Sequence, residues 1–247
     1  MSMRIFSALA VSAFLVACGA KEQQQVQTAG TDTVVKAASA QDPTPALTQG
    51  VRDAMTPDAV LNGLKAGNER FLNRTPLYRD YADQIADTSA GQFPSAVILS
   101  CIDSRIPTEV VLDQGIGDVF NARVAGNIVN AEILGSMEFA TAVAGAKLVV
   151  VMGHTKCGAV MGACDNVDLG NVTSLVTNIR PSVEAVAGQS CASSDSSTVD
   201  KVASHNVERT IEEIRKQSAI MADLESQGKI KIVGAMYDIS SGRVTFM

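Results

Sequence analysis

The sequence predicts an α/β domain on a mainly parallel sheet, with a strand order that begins 2-1-3 and with flanking helices. Continuous apolar runs occupy residues 95–101 (SAVILSC) and 147–153 (KLVVVMG). Such runs are typical of strands that are buried on both faces of a parallel sheet. Helical patterns alternate with the strand candidates, which indicates βαβ connections. The chain has 247 residues, 46% of them hydrophobic, so it has enough apolar material for one sizeable core.

The other elements follow from helix and strand signals downstream of residue 55. Thr56-Pro57-Asp58 begins a helix that runs to Arg74, with proline near the first turn. The helix at residues 131–144 is predicted to bury Leu134, Met137 and Val143. Further strands are predicted at residues 118–124, 230–237 and 243–247, and further helices at residues 158–163, 172–187 and 199–227.

The N-terminus has the pattern of a targeting segment. Arg4 precedes a short apolar run at residues 5–17, and the run ends in Leu15-Val16-Ala17-Cys18, which resembles a bacterial lipobox. We therefore expect a signal peptide at 1–17, a lipidated Cys18 with a flexible tether at 18–55, and a folded domain at 56–247. Gly19 after the cysteine favours lipid anchoring to the outer membrane, on the periplasmic side of the envelope. Secretion without a lipid is the alternative.

The charge balance bears on possible partners. The chain has 20 basic and 26 acidic residues and a net charge of −6, with lysine and arginine scattered along it. Nucleic-acid binding is not expected, because it requires a clustered basic surface. No apolar run reaches the roughly 18 residues of a membrane-spanning helix, so the expected contact with a membrane is the lipid on Cys18.

Two groups of chemically active residues lie at strand ends. Cys101-Ile102-Asp103-Ser104-Arg105 follows the first buried strand, and His154-x-x-Cys157 follows the strand at 147–153. Ligands of open α/β sheets bind at the carboxyl ends of strands, where the strand order reverses. One metal that binds both Cys101 and His154 makes their strands neighbours, which is the origin of the predicted order 2-1-3. Two thiolates and one imidazole suit Zn²⁺, and three protein ligands are typical of a catalytic site with an open position.

Three other interpretations of these residues stay open. Cys101 and Cys157 can form a disulfide in an oxidising compartment. Zinc can be structural, with Asp103 as a permanent fourth ligand. A phosphatase-like loop from Cys101 to Arg105 is a third interpretation, although this spacing is shorter than such loops require. The other histidine, His205, lies in a polar helical segment and is assigned to the surface.

Five segments together resemble the motifs of β-carbonic anhydrases. The signature segments are Cys101-x-Asp103-Ser104-Arg105 and His154-x-x-Cys157-Gly158, and the supporting segments are residues 67–71 (GNERF), 123–127 (RVAGN) and 136–140 (SMEFA). They occur in the family's order from about residue 57 to the end. The chain has no Trp, so the family's Trp-containing inhibitory bicarbonate pocket is not expected in that form. Gln114 is one position away from a glutamine that often lines the family's active site, and it receives no role.

The resemblance implies an activity and residue roles. The reaction would be the reversible hydration of CO₂ to bicarbonate and a proton by a zinc-bound hydroxide. Cys101, His154 and Cys157 would hold one Zn²⁺ per chain, and Asp103, paired with Arg105, would orient the hydroxide. Release of that pair would let Asp103 ligate zinc, so two resting states are possible. The family also implies a homodimer or a higher homo-oligomer. Hydrolysis of COS or CS₂, or non-catalytic zinc binding in the envelope, remains as an alternative function.

Two cysteines remain once Cys18, Cys101 and Cys157 are assigned. Cys164 and Cys191 can form a disulfide that encloses 26 residues, which the chain-entropy model values at roughly 3–4 kcal/mol. The alternative is a buried Cys164 thiol and an exposed, unrelated Cys191 thiol.

Overall fold

The computed structural model describes residues 42–247 and has a five-stranded sheet at their centre. The strand order is β2-β1-β3-β4-β5. Strands β2, β1, β3 and β4 are parallel, and β5 runs antiparallel to β4. The predicted order 2-1-3 and the mainly parallel sheet are therefore confirmed. The strands are β1 (Ala96–Ser100), β2 (Val119–Arg123), β3 (Leu148–His154), β4 (Lys231–Tyr237) and β5 (Val244–Phe246).

The two central strands explain the continuous apolar runs. Every residue of β1 and β3 is buried, because helices cover both faces of the sheet. Alternate side chains enter two separate core clusters. Ile98 and Val150 lie in one cluster, whereas Leu99 and Val151 lie in the other. The pleat of the strands thus distributes one apolar run between two cores.

The helices pack on both sides of this sheet. They are α1 (Gln49–Ala54), α2 (Pro57–Leu72), α3 (Tyr81–Thr88), α4 (Thr108–Val111), α5 (Ala131–Glu138), α6 (Gly158–Cys164), α7 (Gly170–Ala187), α8 (Ser196–Gln217) and α9 (Ala219–Ser226). Helices α2, α6 and α7 contribute to the first core cluster, and α5 and α9 contribute to the second. Helix α8 contributes to both, with its N-terminal half in the first cluster and its C-terminal half in the second.

Helix α1 lies within the stretch that the sequence assigned to a tether, and residues 42–55 are a correction to that assignment. Ala46 is buried, and the Arg52 side chain is only 7% exposed. The Arg52 guanidinium donates to the carbonyl of Ala144 and lies 6.0 Å from the ring centroid of Phe93. A six-residue helix held by one arginine has no apolar period, so pattern analysis does not detect it. The short helices α3 and α4 were missed for the same reason.

Two helical predictions also need correction. Val143 was expected on a buried face but is 73% exposed. A π-helical turn at Phe139–Val143 extends α5, and its wider repeat changes which side chains face the core, so that Ala140 and Thr141 are buried instead. The helix predicted at 199–227 is two helices. Ser218 ends α8, and its hydroxyl caps α9 by accepting from the Met221 N–H.

The signal peptide, Cys18 and the tether up to residue 41 lie outside the described residues. Within residues 42–247, no helix is both long enough and apolar enough to span a membrane.

Candidate metal centre

Three predicted ligands converge at the carboxyl edge of the sheet. Cys101 directly follows β1, His154 is the last residue of β3, and Cys157 precedes α6. Because β1 and β3 are parallel neighbours, with Ser100 level with Met152, both strands deliver their following residues to the same edge. The two sulfurs and an imidazole nitrogen all lie within 4.8 Å of one another, and all three residues are buried. Cys101 and Cys157 are free thiols here rather than a disulfide.

The imidazole of His154 is oriented for metal binding. Its Nδ1 lies 2.9 Å from the carbonyl oxygen of Thr155, which accepts a hydrogen bond when Nδ1 carries the proton. That tautomer leaves a lone pair on Nε2. Nε2 is buried and has no hydrogen-bond partner within residues 42–247. A buried nitrogen without a partner is costly unless something binds it, so this atom fits a metal ion.

The two neighbouring cysteines have pKa values that are shifted in opposite directions. A hydrogen bond from the Cys157 thiol lowers the pKa of Cys101 to about 4, and the hydrogen bond from the Gly126 N–H acts in the same direction. The same sulfur–sulfur hydrogen bond, together with burial, raises the pKa of Cys157. One thiolate is therefore already stable in this pocket. Zinc displaces thiol protons and binds both sulfurs as thiolates, so the donor set fits Zn²⁺.

Asp103 lies beside the three ligands and is paired with Arg105. Nε of Arg105 donates to Oδ1 over 2.9 Å, and Nη2 donates to Oδ2 over 2.6 Å. The Arg105 backbone N–H also donates to Oδ1, over 3.0 Å. These hydrogen bonds hold the pKa of Asp103 well below its usual value. Oδ2 of Asp103 is 4.0 Å from Nε2 of His154, so the carboxylate borders the position a metal would take.

This chain is similar in sequence to known proteins. Residues 96–244 match the family model described as carbonic anhydrase. Carbonic anhydrase 2 of Mycobacterium tuberculosis is 36% identical over 193 residues, which cover 76% of this chain and 91% of that protein. The carbonic anhydrase of Mycolicibacterium smegmatis is 34% identical over 194 residues, covering 76% and 92% respectively.

The chain belongs to the β-carbonic anhydrase family. Solved structures share its fold. A β-carbonic anhydrase of Sordaria macrospora, described as tetrameric, has a TM-score of 0.62 at 23% identity and covers 77% of this chain and 94% of its own. The Coccomyxa β-carbonic anhydrase, solved with acetazolamide, has a TM-score of 0.59 at 19% identity, covering 76% and 81%. Members of this family use zinc, and Cys101, His154 and Cys157 are the group in this chain that would hold it.

Arg123 is a residue beside the metal centre that the sequence analysis placed in a motif without giving it a role. It is the last residue of β2, adjacent to β1. Its Nε donates to the carbonyl of Cys101 over 3.0 Å, and its Nη2 donates to the carbonyl of Asp103 over 2.7 Å. The guanidinium therefore clamps the backbone that carries both a ligand and the dyad carboxylate. In the sequence, the feature that could have indicated this role is an arginine at the carboxyl end of a predicted strand.

The second ligand loop is tied to its neighbours as well. The Lys156 N–H donates to the carboxylate of Asp200 in α8 over 2.7 Å, and Lys156 adopts a positive φ of 53°. The Thr155 N–H donates to the carbonyl of Tyr237 in β4 over 3.0 Å. These contacts hold the turn between His154 and Cys157. Asp200 lies in an amphipathic helix, where a carboxylate resembles any other surface charge, so the sequence offered no signal for it.

The remaining sequence-predicted residues lie elsewhere. Cys164 and Cys191 are joined by a disulfide, with Cα atoms 4.9 Å apart, within the range that such a bond requires. Cys164 is the last residue of α6, so the bond ties the helix that follows Cys157 to the segment before α8. His205 was assigned to the surface but is half-buried, and its Nδ1 is buried without a partner in the described part of the chain. Gln114 donates to the carbonyls of Leu112 and Asp113.

A cavity of about 1130 Å³ lies apart from the metal centre. Its lining comes from residues 71–81 and 109–119 and includes none of the three ligands. We assign the chemistry to the ligand cluster, because the metal-binding side chains and the Asp103 carboxylate converge there.

Proposed function

We propose that this protein catalyses the reversible hydration of CO₂ to bicarbonate and a proton. One observation carries the proposal: a buried Cys–His–Cys group, with Nε2 of His154 unpartnered, borders a carboxylate whose two oxygens are held by an arginine. The family's activity supports the same reaction. Zinc bound by Cys101, His154 and Cys157 would lower the pKa of a water molecule and so supply the nucleophile for CO₂.

The chain's own residues would place that water. Asp103 is an acceptor of hydrogen bonds because the paired Arg105 keeps it ionised at neutral pH. Its Oδ2, 4.0 Å from Nε2 of His154, is positioned to accept a hydrogen bond from the reacting oxygen, which would direct a lone pair of that oxygen toward the substrate carbon. Arg105 is a positioning residue, since it acts through Asp103. The clamp from Arg123 holds the loop in register.

The arrangement of Asp103 favours a catalytic site over a structural one. A permanent fourth ligand would turn an oxygen toward the three other ligands. Both oxygens are instead engaged by Arg105, and Asp103 is not part of the cluster whose ligand atoms lie within 4.8 Å of one another. This is the arrangement that leaves the fourth metal position for water.

A stopped-flow CO₂ hydration assay, with zinc content measured on the same sample, tests the activity. We expect one zinc per chain and turnover well above the uncatalysed rate. COS and CS₂ are tested in parallel, because their hydrolysis uses the same ligand set. Zinc-loaded protein that is inert toward all three substrates would favour a non-catalytic zinc protein. Turnover of COS or CS₂ without CO₂ hydration would reassign the substrate.

We also propose that the active form is a homodimer or a higher homo-oligomer. Ile102, next to the ligand Cys101, is 61% exposed, and Val110 and Ile116, which line the cavity described above, are 58% and 37% exposed. Exposed apolar side chains that form a patch are typical of a protein interface. A second copy of this chain is the occupant that the resemblance implies. Light scattering should show an oligomer, and Val110→Glu should shift it toward monomer. A wild-type monomer at micromolar concentration with full activity would refute this assignment.

The cellular placement is a proposal that rests on the sequence. Lipidation of Cys18 would anchor the protein to the periplasmic side of the outer membrane. Lipobox processing attaches more than one acyl chain, and stable anchoring requires more than one. Membrane fractionation of the Cys18→Ser variant tests the anchor, since the variant should leave the membrane fraction. Retention at the wild-type level would exclude lipid attachment at this residue.

A further inference from the structure

The buried side-chain amide of Asn206 in α8 is connected to the proposed zinc ligand Cys101 through one intervening residue, Gly126. Asn206 is fully buried, although most of the buried residues of α8 are apolar. Its Nδ2 donates to the carbonyl of Gly126 over 2.8 Å, and the N–H of the same Gly126 donates to the sulfur of Cys101 over 3.4 Å. Asn206 thus reaches the metal centre through a single backbone residue.

Gly126 has a backbone that needs such a restraint. It has a φ of 71° in the short turn Ala125–Asn127, a conformation that L side chains rarely adopt. A Cβ at this position would lie 2.5 Å from the Cδ1 of Ile179, so the site also excludes larger residues sterically. Glycine can rotate more freely than any other residue. A hydrogen bond to its carbonyl therefore helps to decide where its N–H points.

The amide of Asn206 is itself oriented. Its Oδ1 accepts a hydrogen bond from the hydroxyl of Ser182 in α7, over 3.4 Å, and Ser182 is also fully buried. Because Oδ1 faces a donor, Nδ2 is the atom left to face the Gly126 carbonyl. Ser182, Asn206, Gly126 and the Cys101 sulfur thus form one continuous polar path through the core.

We propose that Asn206 is a positioning residue of the metal centre, which holds Gly126 so that its N–H donates to the Cys101 sulfur. This inference rests on the metal-binding role proposed above for that cysteine. An N–H donor withdraws electron density from a thiolate, so it tunes how strongly the sulfur donates to a bound metal. Such outer contacts orient ligands and adjust the metal without touching it.

Cobalt substitution gives a direct readout of the sulfur. Co²⁺ in place of zinc has sulfur-to-metal charge-transfer absorption, whose energy depends on the electron density of the thiolate. In Asn206→Leu, which removes the amide at similar volume, we expect this absorption to move to longer wavelength. The hydrogen exchange of the Gly126 amide should accelerate by about tenfold, the order of one lost hydrogen bond. The matched control is Thr210→Val, which removes a buried hydroxyl from the same helix at similar volume and leaves the hydrogen bonds of Asn206 in place.

The outcomes separate positioning from a purely structural role. A wild-type absorption spectrum in cobalt-loaded Asn206→Leu would overturn the proposal, even if the variant is less stable. An equal spectral shift in Thr210→Val would also overturn it, because a general loosening of α8 would then be the cause. If Asn206→Leu does not fold, Asn206→Asp, which puts an oxygen in place of the donor nitrogen, is examined in the same way. The readout needs no turnover, so loss of the proposed activity and loss of this inference are told apart.

Discussion

Arg105 donates two side-chain hydrogen bonds to the Asp103 carboxylate, over 2.9 Å from Nε and 2.6 Å from Nη2. Oδ2 of the same carboxylate lies 4.0 Å from Nε2 of His154. A planar guanidinium matches a carboxylate in this way, whereas an ammonium acts as a point charge. Arg105 therefore fixes the orientation of the Asp103 carboxylate in addition to balancing its charge.

Removal of the Asp103 acceptor should reduce turnover and leave zinc in place. We expect Asp103→Ala to lower kcat/KM for CO₂ hydration by roughly 10²-fold or more, the order of loss when a reacting group is no longer oriented. Arg105→Lys should also lose activity, because lysine cannot make the bidentate contact. Asp58→Asn, which alters an exposed carboxylate paired with Lys231, is the control and should be neutral. Loss of zinc in Asp103→Ala would instead identify Asp103 as a ligand.

Zinc content should depend on the three ligands and on no other cysteine of the folded domain. We expect about one zinc per chain in the wild type and strong loss in Cys157→Ser and His154→Ala, because a catalytic site has no protein ligand to spare. Elemental analysis measures this directly. Cys164→Ser is the control, since Cys164 lies outside the cluster. Full zinc occupancy in Cys157→Ser would contradict the assignment.

The stability of the protein should depend on Asp113 at neutral pH. The buried carboxylate accepts from Nε of Arg70 and from Nη1 of Arg79, each over 2.5 Å, and the Arg79 side chain is itself only 5% exposed. Burial alone would raise the pKa of Asp113, but these hydrogen bonds outweigh it and hold the pKa below its usual value. Asp113→Asn should cost about 3–5 kcal/mol at pH 7, because it leaves buried arginine charge unpaired.

The sign of the pH dependence follows from this lowered pKa. A carboxyl group whose pKa is lower in the folded state stabilises the protein fully above its unfolded pKa of about 3.9, and that contribution is lost as pH falls through the folded value. Urea denaturation of wild type and Asp113→Asn at pH 7 and near pH 3 checks this. The difference in the free energy of unfolding should shrink in acid. A constant difference would show that Asp113 does not act through its charge.

The disulfide between Cys164 and Cys191 should stabilise the fold. The two residues are 27 apart in sequence, and the chain-entropy model values a loop of that size at about 3.5 kcal/mol. We expect the double variant Cys164→Ser/Cys191→Ser to unfold at a lower denaturant concentration than the wild type. A phosphine reductant should lower the unfolding midpoint of the wild type toward that of the double variant. The reductant should not alter the double variant. Two free thiols beyond the zinc ligands in oxidised wild type would rule out the bond.

Helix α1 should contribute to stability through Arg52. Truncation to alanine removes the donor to the Ala144 carbonyl and the contact with the Phe93 ring. We expect Arg52→Ala to lower the free energy of unfolding by about 1–3 kcal/mol, the cost of a buried acceptor without its partner. Thermal denaturation measures the loss. Asp53→Ala, which removes the half-exposed partner carboxylate, should have a smaller effect. Equal stability of wild type and Arg52→Ala would show that residues 42–55 do not stabilise the domain and belong to the tether.

The metal cluster was predictable because it depends on local pattern and one topological rule. Each ligand motif follows a buried apolar run, and such runs are recognisable without neighbours in space. Parallel strands present their carboxyl ends at one edge, so placing Cys101 and His154 together also implied the strand order. Sequence by itself therefore determined the fold class, the family resemblance and the three ligands of the domain at residues 56–247.

Only the tertiary structure decided what surrounds those ligands. Asn206, Asp200 and Arg52 act through contacts with residues that are distant in sequence, and their types also occur on ordinary surfaces or helix faces. The π-helical turn that exposes Val143 arises from backbone hydrogen bonding that no side-chain period encodes. Periodicity reports which face of a segment is apolar, whereas a polar contact depends on where the other segments pack. That difference separates what the chain's pattern predicts from what its packing adds.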